Sequence, residues 1–184
     1  MKHLNFLLMA AILATLALAG AAFADGKWKN YTDETFGFSV EYPDIYDSVE
    51  KPYVDGDGKS NFGASISTGN GRYAFSVSGG RKPKGADGNS LLKEATNLEE
   101  DENGYVYGVV PIAGTAKSDA NFYTYEYLDD SPGVDDQGQP DCIAHVYGLV
   151  GESVTAEYTL RYQKDDAELF AEISARMDKS LKVK

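Results

Sequence analysis

A chain of 184 residues with 29 acidic and 17 basic side chains carries a net charge of −12. A surplus of that sign excludes nucleic acid, whose phosphates need a basic footprint, and electrostatic docking on anionic lipid. One cysteine and two histidines are too few for a zinc site of several Cys and His, and Cys142, being alone, excludes an internal disulfide.

Met1 to Ala24 reads as a secretory signal peptide. Lys2 and His3 give the charged start, Phe6 to Ala19 is apolar apart from Thr15, and Ala22-Phe23-Ala24 is a small-x-small cleavage site. The apolar stretch is shorter than the roughly 20 residues that span a bilayer, and polar Asp25-Gly26-Lys27 follows at once. No cysteine precedes the cleavage site, which disfavours a lipid anchor. Cleavage removes one basic residue and no acid, so the mature chain is one unit more negative. No second apolar segment follows. The expected product is periplasmic or secreted, soluble, and not inserted in a membrane. Residues 25–184 suit one domain with a sizeable core, and no repeat, low-complexity tract or linker divides them. Without a disulfide, stability must come from packing.

The first clear strand is Phe36 to Tyr42, with Phe36, Phe38, Val40 and Tyr42 on one face and Pro43 ending it. Asn61 to Thr68 and Arg72 to Ser78 flank Gly69-Asn70-Gly71, whose Asn-Gly pair predicts a tight antiparallel hairpin. Gly79 to Gly85 reads as a loop by its Gly and Pro content. Asn89 or Ser90 is placed to cap a short helix carrying Leu91, Leu92, Ala95 and Leu98. The acids Glu99 to Glu102 oppose the negative end of a helix dipole, so the helix is expected to stop near Leu98. Four more strands follow, at Tyr105 to Ile112, Asn121 to Tyr127, Cys142 to Val150 and Ser153 to Tyr162, the last two joined at Gly151-Glu152 as a hairpin. Asp165 or Asp166 then caps a final helix whose Leu169, Phe170, Ile173, Met177 and Leu181 share one face. The pattern is one α+β domain with a mainly antiparallel sheet and helices on it.

Trp28-x-x-Tyr31, then Phe36-Gly37-Phe38-Ser39-Val40-Glu41-Tyr42-Pro43, then a closing strand and amphipathic helix ending Lys179-Ser180-Leu181-Lys182, resembles the PsbP-like superfamily. That group takes in the PsbP accessory proteins of photosystem II, a nuclear-transport regulator that binds the Ran GTPase, and small exported bacterial proteins of unknown role. The resemblance implies an α/β/α sandwich around an antiparallel sheet of about six or seven strands, closed by a C-terminal amphipathic helix. It covers the two ends of the mature chain and implies no catalytic residue.

Chemistry-bearing motifs are mostly absent. Beyond the signal segment the one histidine is His145, on the strand face of Ile143, Tyr147 and Leu149, where a hydrogen-bonded core histidine is the plain reading. No G-x-S-x-G elbow presents a serine to it. Cys142 reads as a small buried apolar residue, since Asp141 beside it is an acid and not an activating cation. The glycines of Gly80 to Gly85 are followed by Ala86 and Asp87 where a P-loop needs Lys and Ser or Thr. The Asp55-Gly56-Asp57-Gly58-Lys59 run departs from an EF-hand loop at its fifth and sixth positions.

Three features stay open to function. Asp129, Asp130, Asp135, Asp136 and Asp141 fall in one stretch that is either a solvated acidic loop or a wrap for a hard cation such as calcium. Tyr123, Tyr125 and Tyr127 line one strand face, either as sheet packing or as an exposed stripe for protein or glycan contact. Arg81, Lys82 and Lys84 form a positive cluster on an acidic chain, either solvated or a docking point for an acidic partner or anion. The expected function is an exported, non-catalytic binding or assembly domain, with no cofactor, for a protein or glycan of the cell envelope. A calcium-dependent binding or adhesion domain using Asp129 to Asp141 is the first alternative. A hydrolase with paired carboxylates is the second.

Overall fold

The computed structural model describes residues 27–45, 53–54, 64–69, 73–104, 106–134 and 138–184. The signal segment, the Asn70-Gly71 turn and Asp135 and Asp136 lie outside the described residues. Strands β1 (Trp28–Asp33) and β2 (Phe38–Pro43) pair antiparallel, from Trp28 opposite Pro43 to Asp33 opposite Phe38. Their turn closes on Asp33, whose carboxylate accepts the Phe36 N–H at 2.7 Å while its carbonyl accepts that of Gly37 at 2.9 Å. Gly37 sits at φ +73°, where a side chain is strained. As the alternation predicts, Phe38, Val40 and Tyr42 are buried.

The larger sheet takes β3 (Tyr53–Val54), β4 (Ala64–Gly69), β5 (Ala74–Arg81), β8 (Lys117–Ser118), β9 (Phe122–Val134), β10 (Pro140–Val150) and β11 (Val154–Gln163). Their order is β3-β4-β5-β11-β10-β9-β8 and every pairing is antiparallel. Two expected loops are strand instead. Gly79 and Gly80 continue β5, opposite Ala156 and Thr155. A Cβ on Gly79 would come within 2.6 Å of the Phe38 ring, so the glycine makes room for the core and does not mark a turn. The stretch through Ser131-Pro132-Gly133 likewise extends β9 to meet Pro140, with a bulge between Pro140 and Cys142. A second small ribbon pairs β6 (Glu99–Glu100) with β7 (Val106–Tyr107), so the strand expected from Tyr105 to Ile112 is much shorter.

Two helices cover opposite faces of the large sheet. Helix α1 (Gly88–Thr96) is capped two or three residues earlier than expected, by Asp87 in place of Asn89 or Ser90. Asp87 Oδ1 accepts the Ser90 N–H at 2.8 Å and Ser90 Oγ accepts the Asp87 N–H at 2.9 Å, a reciprocal capping box. Its Leu91, Leu92 and Ala95 pack on Tyr123, Tyr125 and Val146. Helix α2 (Ala167–Ser180) follows a 3₁₀ turn at Lys164–Asp166 and buries Phe170, Ile173 and Met177 against Phe75, Tyr158, Leu160 and Tyr162. Asp166 stands at its N-cap but gives it no side-chain hydrogen bond, because the carboxylate takes the Tyr73 hydroxyl at 2.6 Å. Strand β12 (Lys182–Val183) then adds to β2, completing a three-stranded sheet β1-β2-β12.

Gly88 fixes how closely α1 approaches β9. A Cβ there would sit 2.1 Å from the Phe122 carbonyl oxygen and 2.4 Å from that of Asp119, both backbone atoms that cannot swing aside. Gly88→Ala, which improves helix propensity, is therefore expected to destabilise the protein by about 1–3 kcal/mol through overpacking. Denaturant midpoints check this, and a more stable variant contradicts the fit.

Candidate functional site

His145 is the sole described histidine and the centre of a polar cluster between the sheet and α2. It is buried on β10, directly opposite Glu126 of β9. Its Nδ1 lies 3.3 Å from Glu126 Oε1 and its Nε2 lies 3.2 Å from Asp178 Oδ1 on α2. Tyr158 donates its hydroxyl to that same Asp178 oxygen and Tyr162 donates to Glu126 Oε1 at 3.4 Å. Burial alone pulls the imidazole pKa down, but the Asp178 and Glu126 carboxylates outweigh it and push it up to about 9. The His145 hydrogen bond in turn holds the Glu126 carboxyl below its ordinary range, against the opposing pull of burial. Both ring nitrogens then donate, so the imidazolium offers no lone pair to a nucleophile or substrate. Cys142 lies on the opposite face of β10, fully buried, and burial pushes its thiol up to about 11, far from a reactive thiolate.

The three sequence candidates are not brought together. Tyr123 and Tyr125 are buried beneath α1, which corrects the reading of Tyr123, Tyr125 and Tyr127 as an exposed stripe. Tyr123 lies across Gly148, where a Cβ would meet its ring at 2.3 Å, and donates to Glu157 Oε2 at 2.6 Å. Burial raises both phenols well above their ordinary range, so they stay neutral donors. Tyr127 is half-buried against Tyr125.

The expected acidic loop is largely strand, and Asp129 is committed within it. Its Oδ2 lies 3.1 Å from Arg161 Nη1, and its Oδ1 accepts Ser131 N–H at 2.9 Å and Ser131 Oγ–H at 2.6 Å. Asp130 is exposed and Asp141 half-buried. Among the described residues no three His, Cys, Asp or Glu gather as a metal site. Arg81 closes β5 and is exposed, Lys82 is half-buried with its N–H on the Ser153 carbonyl at 2.9 Å, and Lys84 is exposed in the loop beyond.

Among the described residues, the most exposed large apolar side chains lie elsewhere, on the ribbon after α1. Leu98, Val106, Tyr107 and Val110 are 53%, 62%, 58% and 68% exposed, although large apolar side chains ordinarily go inside. Glu99 stands opposite Tyr107 and Glu100 opposite Val106, and Asp101 and Glu102 extend the acidic run. The base of the ribbon is fixed: Val109 donates its N–H to the Ala95 carbonyl at 3.1 Å and packs into the cluster under α1. Gly108, at φ +86°, lies so close to α1 that a Cβ would come 2.2 Å from the Asn97 carbonyl oxygen. The sequence places Leu98 on the helix face with Leu91, Leu92 and Ala95, and Val106, Tyr107 and Val110 in a plain strand; the signal of exposure is the run Val106-Tyr107-Gly108-Val109-Val110, apolar at successive positions and without the alternation of a half-buried strand.

No family model matches the chain, and no curated protein matches it. The solution structure of cyanobacterial PsbP (CyanoP) from Synechocystis sp. PCC 6803 is similar, with a TM-score of 0.50 at 15% identity over 86% of this chain and 94% of that one. The chain has a PsbP-like α+β fold, with two helices flanking a mainly antiparallel sheet. Among the described residues no helix is long and apolar enough to cross a membrane.

Proposed function

We propose that this chain is an exported, non-catalytic binding domain that docks through the 98–110 ribbon on a protein partner, one whose contact surface is apolar and rimmed by Lys and Arg. The observation that carries the reading is the exposure of Leu98, Val106, Tyr107 and Val110 on a ribbon anchored at its base. An isolated two-stranded ribbon is marginal in water, and exposed apolar side chains gain nothing there. Anchoring at Gly108 and Val109 holds the ribbon ready, which lowers the ordering cost of association. Glu99, Glu100, Asp101 and Glu102 supply charge that steers a basic partner and rejects an acidic one. The signal-peptide pattern of Met1 to Ala24 supports an encounter outside the cytoplasm. Support for a non-catalytic role comes from His145, whose ring nitrogens both face carboxylates.

A photo-crosslinking residue placed at Val106 or Val110 in the exporting cell is expected to yield one discrete protein adduct, weakened by salt and lost in a Leu98→Ser/Tyr107→Ser background. The same probe at Glu172, exposed on α2, serves as the control. Adducts equal at both places, or none at the ribbon, overturn the proposal.

A further inference from the structure

We infer that the cleft at the fork of β2 and β12 binds a small oxyanion, a phosphate- or carboxylate-bearing molecule with two or more negative charges. The fork exists because β12 pairs with β2 only at Phe38 and Ser39. Beyond that point the end of α2 replaces it, with Ser180 Oγ accepting the Glu41 N–H at 2.9 Å. The divergence leaves a cleft of about 480 Å³ between the small sheet and the helix end. That volume suits a small organic or polyphosphate ligand and is generous for a single monatomic ion.

The lining reverses the sign of the molecule. Arg176 and Lys179 come from α2 and Lys182 from β12, against one acid, Glu41. Glu41 is already spent on Arg176, whose Nη2 and Nε donate to its Oε2 at 2.9 Å and 3.2 Å. The same guanidinium lies 3.9 Å above the centre of the Trp28 ring, so it is held on two sides. Glu41 engages Nε and Nη2 and leaves the Nη1 donors for a ligand. Lys179 and Lys182 form no ion pair among the described residues, although the chain carries 29 acids. Ser39 and Asn30 add neutral hydrogen-bonding groups at the rim. The lining side chains leave two positive charges in excess, offset in part by the negative end of α2, and this balance favours an anion of two or more charges over a monoanion. This surface is separate in sequence from the 98–110 ribbon and its reading does not depend on it.

The test is calorimetric titration of the purified protein with inorganic phosphate, pyrophosphate and citrate, at ionic strength matched with sodium chloride. Binding by at least one anion is expected, and its preference for pyrophosphate or for citrate separates a phosphate from a carboxylate ligand. Lys179→Gln/Lys182→Gln is expected to weaken it at least about tenfold, at unchanged melting temperature without ligand. Lys93→Gln/Lys117→Gln, which removes the same charge elsewhere on the surface, is expected to leave it within about twofold. Failure of all three anions to bind below about 10 mM overturns the inference. Equal weakening by the two double variants also overturns it, since general charge alone then accounts for the binding.

Discussion

Phe170→Ala is expected to destabilise the protein by about 3–5 kcal/mol and to lower its melting temperature by roughly 6–20 °C. Phe170 is only 2% exposed, at the centre of the α2 face that meets the sheet. Its ring stacks on Tyr162 with centroids 4.8 Å apart and planes 7° apart, and on Tyr73 at 5.9 Å and 21°. Truncation removes both stacks and leaves a void between two rings that are themselves held. Tyr162 is a buried residue of β11, and the Tyr73 hydroxyl is held between Gln163 Oε1 and Asp166 Oδ2, each 2.6 Å away. The site therefore collapses poorly, and poor collapse places a truncation at the upper end of its range. Leu169, half-buried one residue earlier, is the control and is expected to lose far less on truncation. Urea denaturation of the two variants measures both, and a loss under about 1 kcal/mol for Phe170→Ala contradicts the packing of α2 on this face.

The elements legible in the sequence are those whose local pattern and tertiary role agree. Phe38, Val40 and Tyr42 alternate and are buried; Phe170, Ile173 and Met177 recur at helical spacing and are buried. Where composition and tertiary role diverge, the sequence misleads. Gly79 and Gly80 look like loop residues, yet one of them is there because the Phe38 ring occupies the space of a side chain. Ser131-Pro132-Gly133 has turn composition, yet pairing with β10 carries the strand on to Val134. Strand β12 has two residues and no pattern of its own; only the preceding helix delivers it to β2.

Functional features were harder to read, for the same reason. His145 stood out by number alone, but its partners come from Glu126 and Asp178, brought in by strand register and helix placement that no local spacing encodes. The tyrosines of β9 differ from an exposed stripe only in which sheet face α1 covers; Leu91, Leu92 and Ala95 pack on that face, and Gly88 allows the close approach. Cations far apart in the chain, such as those at the fork of β2 and β12, are invisible until topology joins them.

The His145 cluster makes stability depend on pH in a defined direction. An unfolded histidine titrates near 6.5, and in the folded protein the pKa is raised to about 9. The folded state therefore binds this proton more tightly than the unfolded state does. The added stability is fully present below about pH 6.5 and is lost as pH rises through about 9. A shift of that size corresponds to about 3 kcal/mol, or roughly 6–12 °C in melting temperature. Glu126 works in the opposite sense, since its lowered pKa adds stability that is lost only as pH falls into the acid range. His145→Gln keeps a hydrogen-bonding side chain between the two carboxylates but cannot carry the charge. The parent protein is expected to lose about 3 kcal/mol more than this variant between pH 6 and 9.5, and the two to differ most at the acid end of that window. Buried tyrosines such as Tyr158, whose phenol is raised by burial and by Asp178, are common to both proteins and cancel in the difference. Parallel pH profiles for the two proteins contradict a charged imidazole clamped between Glu126 and Asp178; a converging pair, meeting near pH 9.5, identifies His145 as the group that titrates.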